Sequence, residues 1–417
     1  MPVLVVKFGG TSVSDVTRIR AAASIIANCQ KEGYSVVVVV SAMGGDTDRL
    51  VELAQSISCH PARREFDMLL ASGEQVSVAL LAIALNEKGV KSKSYLADQI
   101  QFVTDAQHTR ANIVRVEVDK LFQSVTVGEV PVIAGFQGVS TDGEITTIGR
   151  GGSDTTAVAI AAAMDAEECR IYTDVDGVYT ADPRIVEHAT RMERISFEEM
   201  LEMAALGAKV LQTQSVEYSR RHSVRLRVLS SFKNGGGTVI DTEENERMTN
   251  LPVSAVTYDK NDAKITVRHV PDVPGIAYQL LGPIADSGIS VDMIVQNVSV
   301  DQRTDLTFTV PRENFDVSLK ILNGSVPKLC KEYPPDDGKL IEVIGDDTIA
   351  KVTVVGLGMR SNVGVASKMF ETLAQYGINI QMISTSEIKI SVVIHVDFCE
   401  VAVRVLHTAF GLDAPKD

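Results

Sequence analysis

The sequence predicts an α/β protein: a domain built on a buried parallel sheet, followed by two copies of a small α+β module. Three observations carry this. The first 230 residues alternate strand-like and helix-like patterns, as layered α/β domains do. Within them Val36–Val40 is an unbroken run of valines, which suits a strand covered by helices on both faces. Further on, Ala263-Lys264-Ile265-Thr266-Val267 corresponds to Ala350-Lys351-Val352-Thr353-Val354, 87 residues later.

Taken in order, Val3 to Phe8 is a short apolar run that reads as the first strand. Ile19, Ala22, Ala23, Ile26 and Ala27 then recur at helical spacing, with Gly33 as the stop. Gln75 to Asn86 is a second apolar helix, and Pro131–Ala134, Arg170–Thr173 and Arg225–Leu229 read as further strands. Asn234–Gly237 and the polar stretch Asp241–Asn250 read as a linker. In the repeat, Gly275, Gly288 and Met293 match Gly364, Gly377 and Met382 at an offset of 89. The change in offset implies a two-residue insertion between the anchors. Each copy reads strand, glycine loop, amphipathic helix, glycine, strand, strand, helix. The period is too long for a solenoid. The expected division is 1–245, 246–335 and 336–417.

Composition bounds the partners. The 417 residues are 45% hydrophobic and 23% charged, with a net charge of −14. Such acidity disfavours binding to nucleic acid or an anionic membrane. Cys29, Cys59, Cys169, Cys330 and Cys399 are scattered and odd in number, with no CxxC pair for zinc or redox work, so reduced thiols in a cytoplasmic protein are expected. Met1 to Val6 runs straight into a strand, unlike a signal peptide. No apolar run approaches the ~18 residues of a membrane span, Ala157–Met164 being the nearest candidate.

Four segments carry candidate chemistry. Lys7-Phe8-Gly9-Gly10-Thr11-Ser12 joins the first strand to the first helix. Its glycines allow close backbone approach, the helix start offers N–H groups to an anion, and Lys7 adds a point charge. A tight turn with a surface lysine is the alternative. Ser41-Ala42-Met43-Gly44-Gly45 follows the valine strand, where open α/β sheets bind ligands. Asp46, Thr47 and Asp48 beyond it suit a helix cap. Gly149-Arg150-Gly151-Gly152-Ser153-Asp154-Thr155-Thr156 opens the alanine-rich helix 157–164 and brings small residues, a helix start, an arginine and an acid together. Thr173 to Arg184 is a turn-rich loop that lacks the glutamate of a calcium-binding loop. Walker, protein-kinase and serine-hydrolase signatures are absent, and the seven histidines lack metal-ligand spacing.

Together these segments resemble the amino acid kinase family, and within it the aspartate kinases. The resemblance rests on KFGGTS at 7–12, SAMGG at 41–45, ASGEQ at 71–75, GRGGSDTTA at 149–157 and YTDVDGVYTADPR at 172–184, in that order. The doubled module resembles paired ACT domains, which have a ferredoxin-like fold. The resemblance implies a three-layer α/β/α kinase domain that moves the γ-phosphoryl of ATP to the side-chain carboxylate of L-aspartate, with Mg²⁺. It implies Lys7, Gly9 and Gly10 as phosphate binders with Ser41 beside them. Thr47, Glu74, Arg150 and Ser153 would bind aspartate, Arg150 its α-carboxylate and Glu74 its α-ammonium. Asp154 would organise the cationic groups, and Thr173, Asp174, Tyr179, Arg184 and Lys209 would contact the nucleotide. Direct metal ligands leave no signature.

For the doubled module the resemblance implies an effector amino acid, lysine or threonine or both, at Asp272, Gly275, Ile276, Ala277, Asp292, Gln296 and Asn297. A purely dimerising module is the alternative. It also implies a homo-oligomer, or a mixed oligomer with a short subunit started at Met248. Two rivals stand beside this reading: a sister kinase acting on glutamate, acetylglutamate, carbamate or UMP, and an inactive amino-acid sensor on the same scaffold. Lys7, Glu74, Arg150 and Asp154 are all present, which argues against the second.

Overall fold

The two apolar runs nearest the N-terminus form the centre of a sheet. Five of six residues are buried in each of β1 (Val3–Phe8) and β2 (Ser35–Val40). They pair in parallel, Phe8 beside Val40. In this computed structural model all residues are described except 209, 243–251, 298–301, 335–339, 358, 360–361 and 414–417. The chain divides into two units, Met1–Thr180 with Thr190–Asn250 and Ala181–Ala189 with Leu251–Asp417.

The first unit adds α1 (Val16–Lys31), α2 (Asp46–Ile57), α3 (Arg63–Glu87), β3 (Ser92–Tyr95), β4 (Phe102–Thr104), β5 (Ile113–Val116), α4 (Asp119–Thr126), β6 (Val130–Ala134), β7 (Gln137–Ser140), β8 (Ile145–Thr147), α5 (Gly152–Ala163), β9 (Glu168–Thr173), β10 (Arg194–Ser196), α6 (Phe197–Ala205), α7 (Thr213–Arg221), β11 (Leu226–Ser230) and β12 (Thr238–Asp241). Its main sheet has the order β10-β12-β11-β9-β1-β2-β6-β3. Every neighbouring pair is parallel except β11 with β12. Side chains alternate across a strand. Leu4, Val6, Phe8, Val36, Val38 and Val40 therefore pack with α1 and α3 in one core. Val5, Lys7, Val37 and Val39 face the opposite layer, where α5 lies against β1 and β2. Residues 152–161 of α5 are buried without exception, as expected of a helix enclosed on all sides. A smaller sheet has the order β5-β4-β7-β8.

Three local expectations are corrected. The second apolar helix begins at Arg63, not Gln75. It is the one described helix long and apolar enough to cross a membrane by length and composition. Its apolar face (Val78, Leu81, Leu85) packs in the sheet core. Asn234–Gly237 is not a linker between domains but part of the connection 231–237 from β11 to the antiparallel β12, whose four residues are buried. Of the polar stretch, Asp241 ends β12 and 243–250 lie outside the described residues. At Gly237 (φ +67°) a Cβ would sit 2.1 Å from the Val228 carbonyl oxygen. Finally, α2 is capped by Gly45 in the left-handed region, with Asp46, Thr47 and Asp48 inside the first turn. All five cysteines are free, and Cys29, Cys169 and Cys399 are buried.

The second unit contains β13 (Ala255–Asp259), β14 (Asp262–Pro271), α8 (Ile276–Asp286), β15 (Asp292–Gln296), β16 (Arg303–Pro311), α9 (Phe315–Glu332), β17 (Glu342–Asp346), β18 (Ile349–Val355), α10 (Val365–Gln375), β19 (Met382–Thr385), β20 (Lys389–His395) and α11 (Cys399–Ala409). Two antiparallel sheets result, β15-β16-β14-β17 and β13-β18-β20-β19. The repeat is visible in the backbone: Gly275 and Gly364 cap α8 and α10 at φ +91° and +105°. Sheet closure, however, crosses position 335. Glu342–Asp346 completes the first module through β14, and Ala255–Asp259 completes the second through β18. Ala181 and Val186 also pack in the second module's core, with Val256, Val352 and Met369.

A fragment from Met248, itself outside the described residues, keeps both sheets whole. A fragment from Asp262 removes β13 and bares the edge of β18. The longer fragment should melt cooperatively, and the shorter one about 5 °C lower or more, since β13 buries Ala255 and Val256 completely. Equal melting temperatures would show that β13 contributes nothing to the fold.

Candidate active site

The parallel strands end together. Phe8 lies beside Val40 and Tyr172, Val40 beside Ala134, and Thr173 beside Ser230. The loops that follow thus gather at the carboxyl edge of the sheet, where α/β folds hold ligands. Lys7, one residue before the end of β1, is on the α5 side and is only 8% exposed. Its Nζ is 2.5 Å from Asp154 Oδ1 in the first turn of α5. A buried lysine must be paired, and this pair fixes the ammonium at the mouth of the sheet.

The glycine turn beside it is tight for a visible reason. A Cβ on Gly10 would meet the Ala42 carbonyl at 3.0 Å, and one on Gly44 would meet Ser14 Cβ at 3.2 Å. The loops at 9–10 and 42–44 are therefore in backbone contact. The Gly9 N–H is spent on the Tyr172 carbonyl at 3.1 Å. Gly9 offers close approach, not a donor. Ser12 donates to the same carbonyl, and Ser231 donates to Ser12 at 2.6 Å, so the ends of β1, β9 and β11 are tied by hydroxyls.

Glu74 enters from α3. It is 3% exposed, and its Oε1 accepts the Ala42 N–H at 3.0 Å. Among the described residues its Oε2 has no partner. Gly73 allows this approach, because a Cβ there would lie 2.9 Å from Ala42 Cβ. Burial pushes the Glu74 carboxyl from its ordinary 4.5 up to about 7, against the Ala42 N–H, which favours the charge. A buried carboxylate with one open lone pair is suited to take a cationic group. Ser41 and Thr47 are half-buried nearby on the same chain segment.

The 149–154 turn supplies the opposite charge. Gly149 and Gly151 are left-handed, at φ +82° and +71°, and Gly152 N–H closes the turn on the Gly149 carbonyl. Arg150 is exposed and has no ion-pair partner among the described residues. Ser153 is 7% exposed and packs against Gly135, where a Cβ would fall 2.7 Å away. Thus Gly9, Gly10, Ser41, Thr47, Arg150, Ser153 and Asp154 lie on loops or helix starts of the first unit, while Lys7 comes from β1 and Glu74 from the middle of α3.

The nucleotide candidates are divided. Thr173 ends β9 and donates to Asp174. The Tyr179 hydroxyl donates to Asp176 at 2.9 Å, and burial, with Asp176, raises its pKa. Arg184 belongs to the second unit. Its guanidinium is mostly exposed and forks onto Asp182. Lys209 lies outside the described residues.

Of the effector candidates, Asp272 and Asn297 are each bonded to the segment at 302–304, Gly275 caps α8 and Gln296 ends β15. The Asp272 N–H bonds the Gln302 carbonyl, and Thr304 bonds the Asn297 carbonyl. Ile276 is core, 4% exposed, so its side chain faces inward, while Ala277 is half-buried. Asp292 is at the far end of β15 and bonds Lys351 at 2.8 Å.

Sequence reasoning missed Asp67, Thr147 and His108. Asp67 is fully buried and accepts from both other residues. The available signal was its spacing of seven from Glu74, two helical turns.

The chain as a whole is similar to known proteins. The amino acid kinase family model matches residues 2–230, and ACT domain models match 265–323 and 352–410. An aspartate kinase of Pseudomonas fluorescens is 53% identical over 417 residues, covering 100% of this chain and 99% of its own length. E. coli aspartokinase III, solved with aspartate and ADP in an R-state, is similar at 25% identity and a TM-score of 0.80, over 98% of this chain and 99% of its own. The same enzyme with lysine and aspartate in a T-state gives 25% identity and a TM-score of 0.76 over the same shares.

Glu74 makes a prediction that needs no substrate. Its folded pKa lies above the unfolded value, so the folded state holds the proton longer. Stability then falls as pH rises from about 4.5 to about 7, and the deficit persists above. Glu74→Gln removes this cost. Its melting temperature should match the parent near pH 5 and exceed it by a few degrees near pH 8. A difference that does not vary with pH would contradict the burial of a titrating carboxyl here.

Proposed function

This chain belongs to the amino acid kinase family, among its aspartate kinases with paired ACT domains, and from that premise we propose that it transfers the γ-phosphoryl of ATP to the β-carboxylate of L-aspartate, giving 4-phospho-L-aspartate, the first step toward lysine, threonine and methionine. The observation that carries the proposal is the buried Lys7–Asp154 pair at the sheet's carboxyl edge, with Glu74 and the Arg150 turn beside it. An enzyme for a zwitterionic acid and a polyphosphate needs this mixture of fixed charges.

The chemistry asks little of a general base. The β-carboxylate of aspartate is ionised at pH 7 and attacks directly. Rate comes from alignment and from neutralising the γ-phosphoryl. Lys7 supplies the cation there, and Asp154 holds it. Gly10 leaves room for phosphate, and Ser41 lies beside it. Arg150 takes the substrate α-carboxylate with its planar fork, with Thr47 and Ser153 as polar neighbours. Glu74 takes the α-ammonium. Thr173, Asp174 and Tyr179 contact the nucleotide, joined by Arg184 and Lys209. No group of three or more His, Cys, Asp or Glu fit for a metal occurs among the described residues. Mg²⁺ would be held chiefly by phosphate oxygens and water, and would supply charge neutralisation there.

The ACT modules bind an end-product amino acid, lysine or threonine or both, through residues drawn from Asp272, Gly275, Ile276, Ala277, Asp292, Gln296 and Asn297. The lysine-bound E. coli relative supports this reading. We retain 1–245, 246–335 and 336–417 as the division of the sequence into kinase and two regulatory parts, and a homo-oligomer or a mixed oligomer with a chain started at Met248 as the assembly.

The deciding experiment is ADP release with L-aspartate, glutamate or acetylglutamate as acceptor, with and without lysine and threonine. Turnover with aspartate alone is expected, and turnover with none would refute the function. Lys7→Ala should lower kcat on the order of 10²-fold while KM for aspartate changes little. Arg150→Lys keeps the charge but loses the fork. It should raise KM for aspartate and leave KM for ATP nearly unchanged; the reverse pattern would move this turn to the nucleotide.

A further inference from the structure

We propose that Asp67 is a positioning residue that fixes the distance between Glu74 and the Arg150 turn, and so sets the fit of the amino-acid substrate. The proposal rests on the assignment of aspartate to those two groups. Asp67 has no solvent exposure. It sits on α3 seven residues before Glu74, hence on the same helical face and about 10 Å along the axis.

Its two oxygens are fully used. Oδ1 accepts Thr147 Oγ1 at 2.6 Å and the Thr109 N–H at 3.1 Å. Oδ2 accepts the same N–H at 3.0 Å and faces His108 Nδ1 at 2.8 Å. A buried carboxylate is costly unless satisfied in this way. Three separate pieces of chain therefore meet at one side chain. Thr147 ends β8 and leads directly into the Gly149–Gly152 turn that bears Arg150. Thr109 is left-handed at φ +73°, a conformation few threonines adopt unaided. Its carbonyl backs onto Gly149, where a Cβ would lie 3.5 Å away. The Ala111 N–H adds a bond to the Thr147 carbonyl at 2.9 Å.

Two other polar links join α3 to this small sheet. Arg64 pairs with Glu144 at the surface, and Gln137 donates to the Ala71 carbonyl. Neither touches the end of β8 or the 108–109 loop. Asp67 alone among these links connects the helix bearing Glu74 to the strand end bearing Arg150. The two charges of an amino acid are held a fixed distance apart by covalent bonds, so the two protein groups that receive them must be held equally well. A shift near 1 Å in such a frame is enough to cost a large factor in turnover.

The test is steady-state kinetics of Asp67→Asn in the full chain, reading KM for aspartate and for ATP separately, with the melting temperature. Asparagine keeps the shape and one acceptor but turns an N–H₂ toward His108 or Thr109. KM for aspartate should rise about tenfold while KM for ATP stays within about twofold. On a Glu74→Gln background the same substitution should cost clearly less, because one of the two groups it aligns is already lost. His108→Asn, which retains a donor at the Nδ1 position, should stay near the parent, and Thr147→Val should follow Asp67→Asn. An unchanged KM for aspartate overturns the proposal. So does a parallel rise in both KM values with a lowered melting temperature, which would mark a purely structural residue. If Asp67→Asn yields no soluble protein, Thr147→Val is judged by the same criteria. Absence of aspartate-dependent turnover in the parent would instead refute the assignment of the substrate, so the two failures are distinct.

Discussion

A buried ion pair organises the first unit. Lys7 and Asp154 are 8% exposed each, and taking two charges out of water costs more than their attraction returns unless the geometry is good. The pair therefore makes demands on its surroundings. The carboxylate sits in the first turn of α5, where free N–H groups and the helix dipole favour negative charge. The lysine must emerge on the α5 side of β1, which the strict alternation of a six-residue strand enforces. The loop after β1 must then stay out of the way, and Gly9 and Gly10 do so. Glycine also allows close approach among the loops and helices that surround the site: Gly10 against the Ala42 carbonyl, Gly135 against Ser153, and Gly73 against the Ala42 side chain. The sheet is central and apolar so that one cation and one anion can be held still at its edge.

Much of this is legible in the sequence, and the remainder fails for identifiable reasons. The valine run, the first strand and the helix at 19–27 have periodicities that local sterics dictate. The glycine-rich turns are legible because their residue types admit few other uses. The sheet β5-β4-β7-β8 leaves no clear signal in the sequence. Its strands are three or four residues long and carry residues such as Arg115, Gln137 and Thr147, with no sustained alternation to mark a buried face. β12 does not stand out in the sequence, because glycine-rich 234–237 precedes it and a polar stretch follows. Only its pairing with β11 and β10 makes it a strand. Asp67 is invisible for a different reason: an isolated acid in an amphipathic helix reads as a solvated face, and its three partners come from 41 to 80 residues away.

The internal repeat has a physical consequence in the second unit. Lys264 and Lys351 are equivalent, as are Asp292 and Gln381. Lys264 bonds Gln381, and Lys351 bonds Asp292. Each module's first strand thus reaches the head of the other's second strand, and Met293 and Met382 share one small cluster between them. The exchange is symmetric in position but not in charge. Lys351 lies between Asp292 and Asp262, at 2.8 and 2.7 Å, while Lys264 has an amide and Asp346, at 3.3 Å from the latter. Burial raises the pKa of Asp262 in spite of Lys351. In the more exposed Asp292 burial acts the same way, but the lysine prevails and lowers it. An effector that contacts Asp292 must therefore compete with Lys351, whereas one held by Asp272, Gln296 and Asn297 leaves that pair intact.

The segment at 173–190 belongs to both units. The sequence presents it as one continuous loop, but its residues serve two cores. Thr180 and Thr190 are clasped: the Thr180 N–H bonds the Thr190 carbonyl, and the Thr190 N–H bonds Thr180 Oγ1. Between them Ala181 and Val186 are buried in the second unit's core, and Asp182 accepts the Tyr258 hydroxyl on β13 at 3.1 Å. Tyr179, in the first unit, is two residues from Ala181. Rearrangement of the regulatory core has a covalent route to Tyr179 through two peptide bonds. A physical connection between the units is thereby written into the chain itself, in the same motif that carries the resemblance to a kinase.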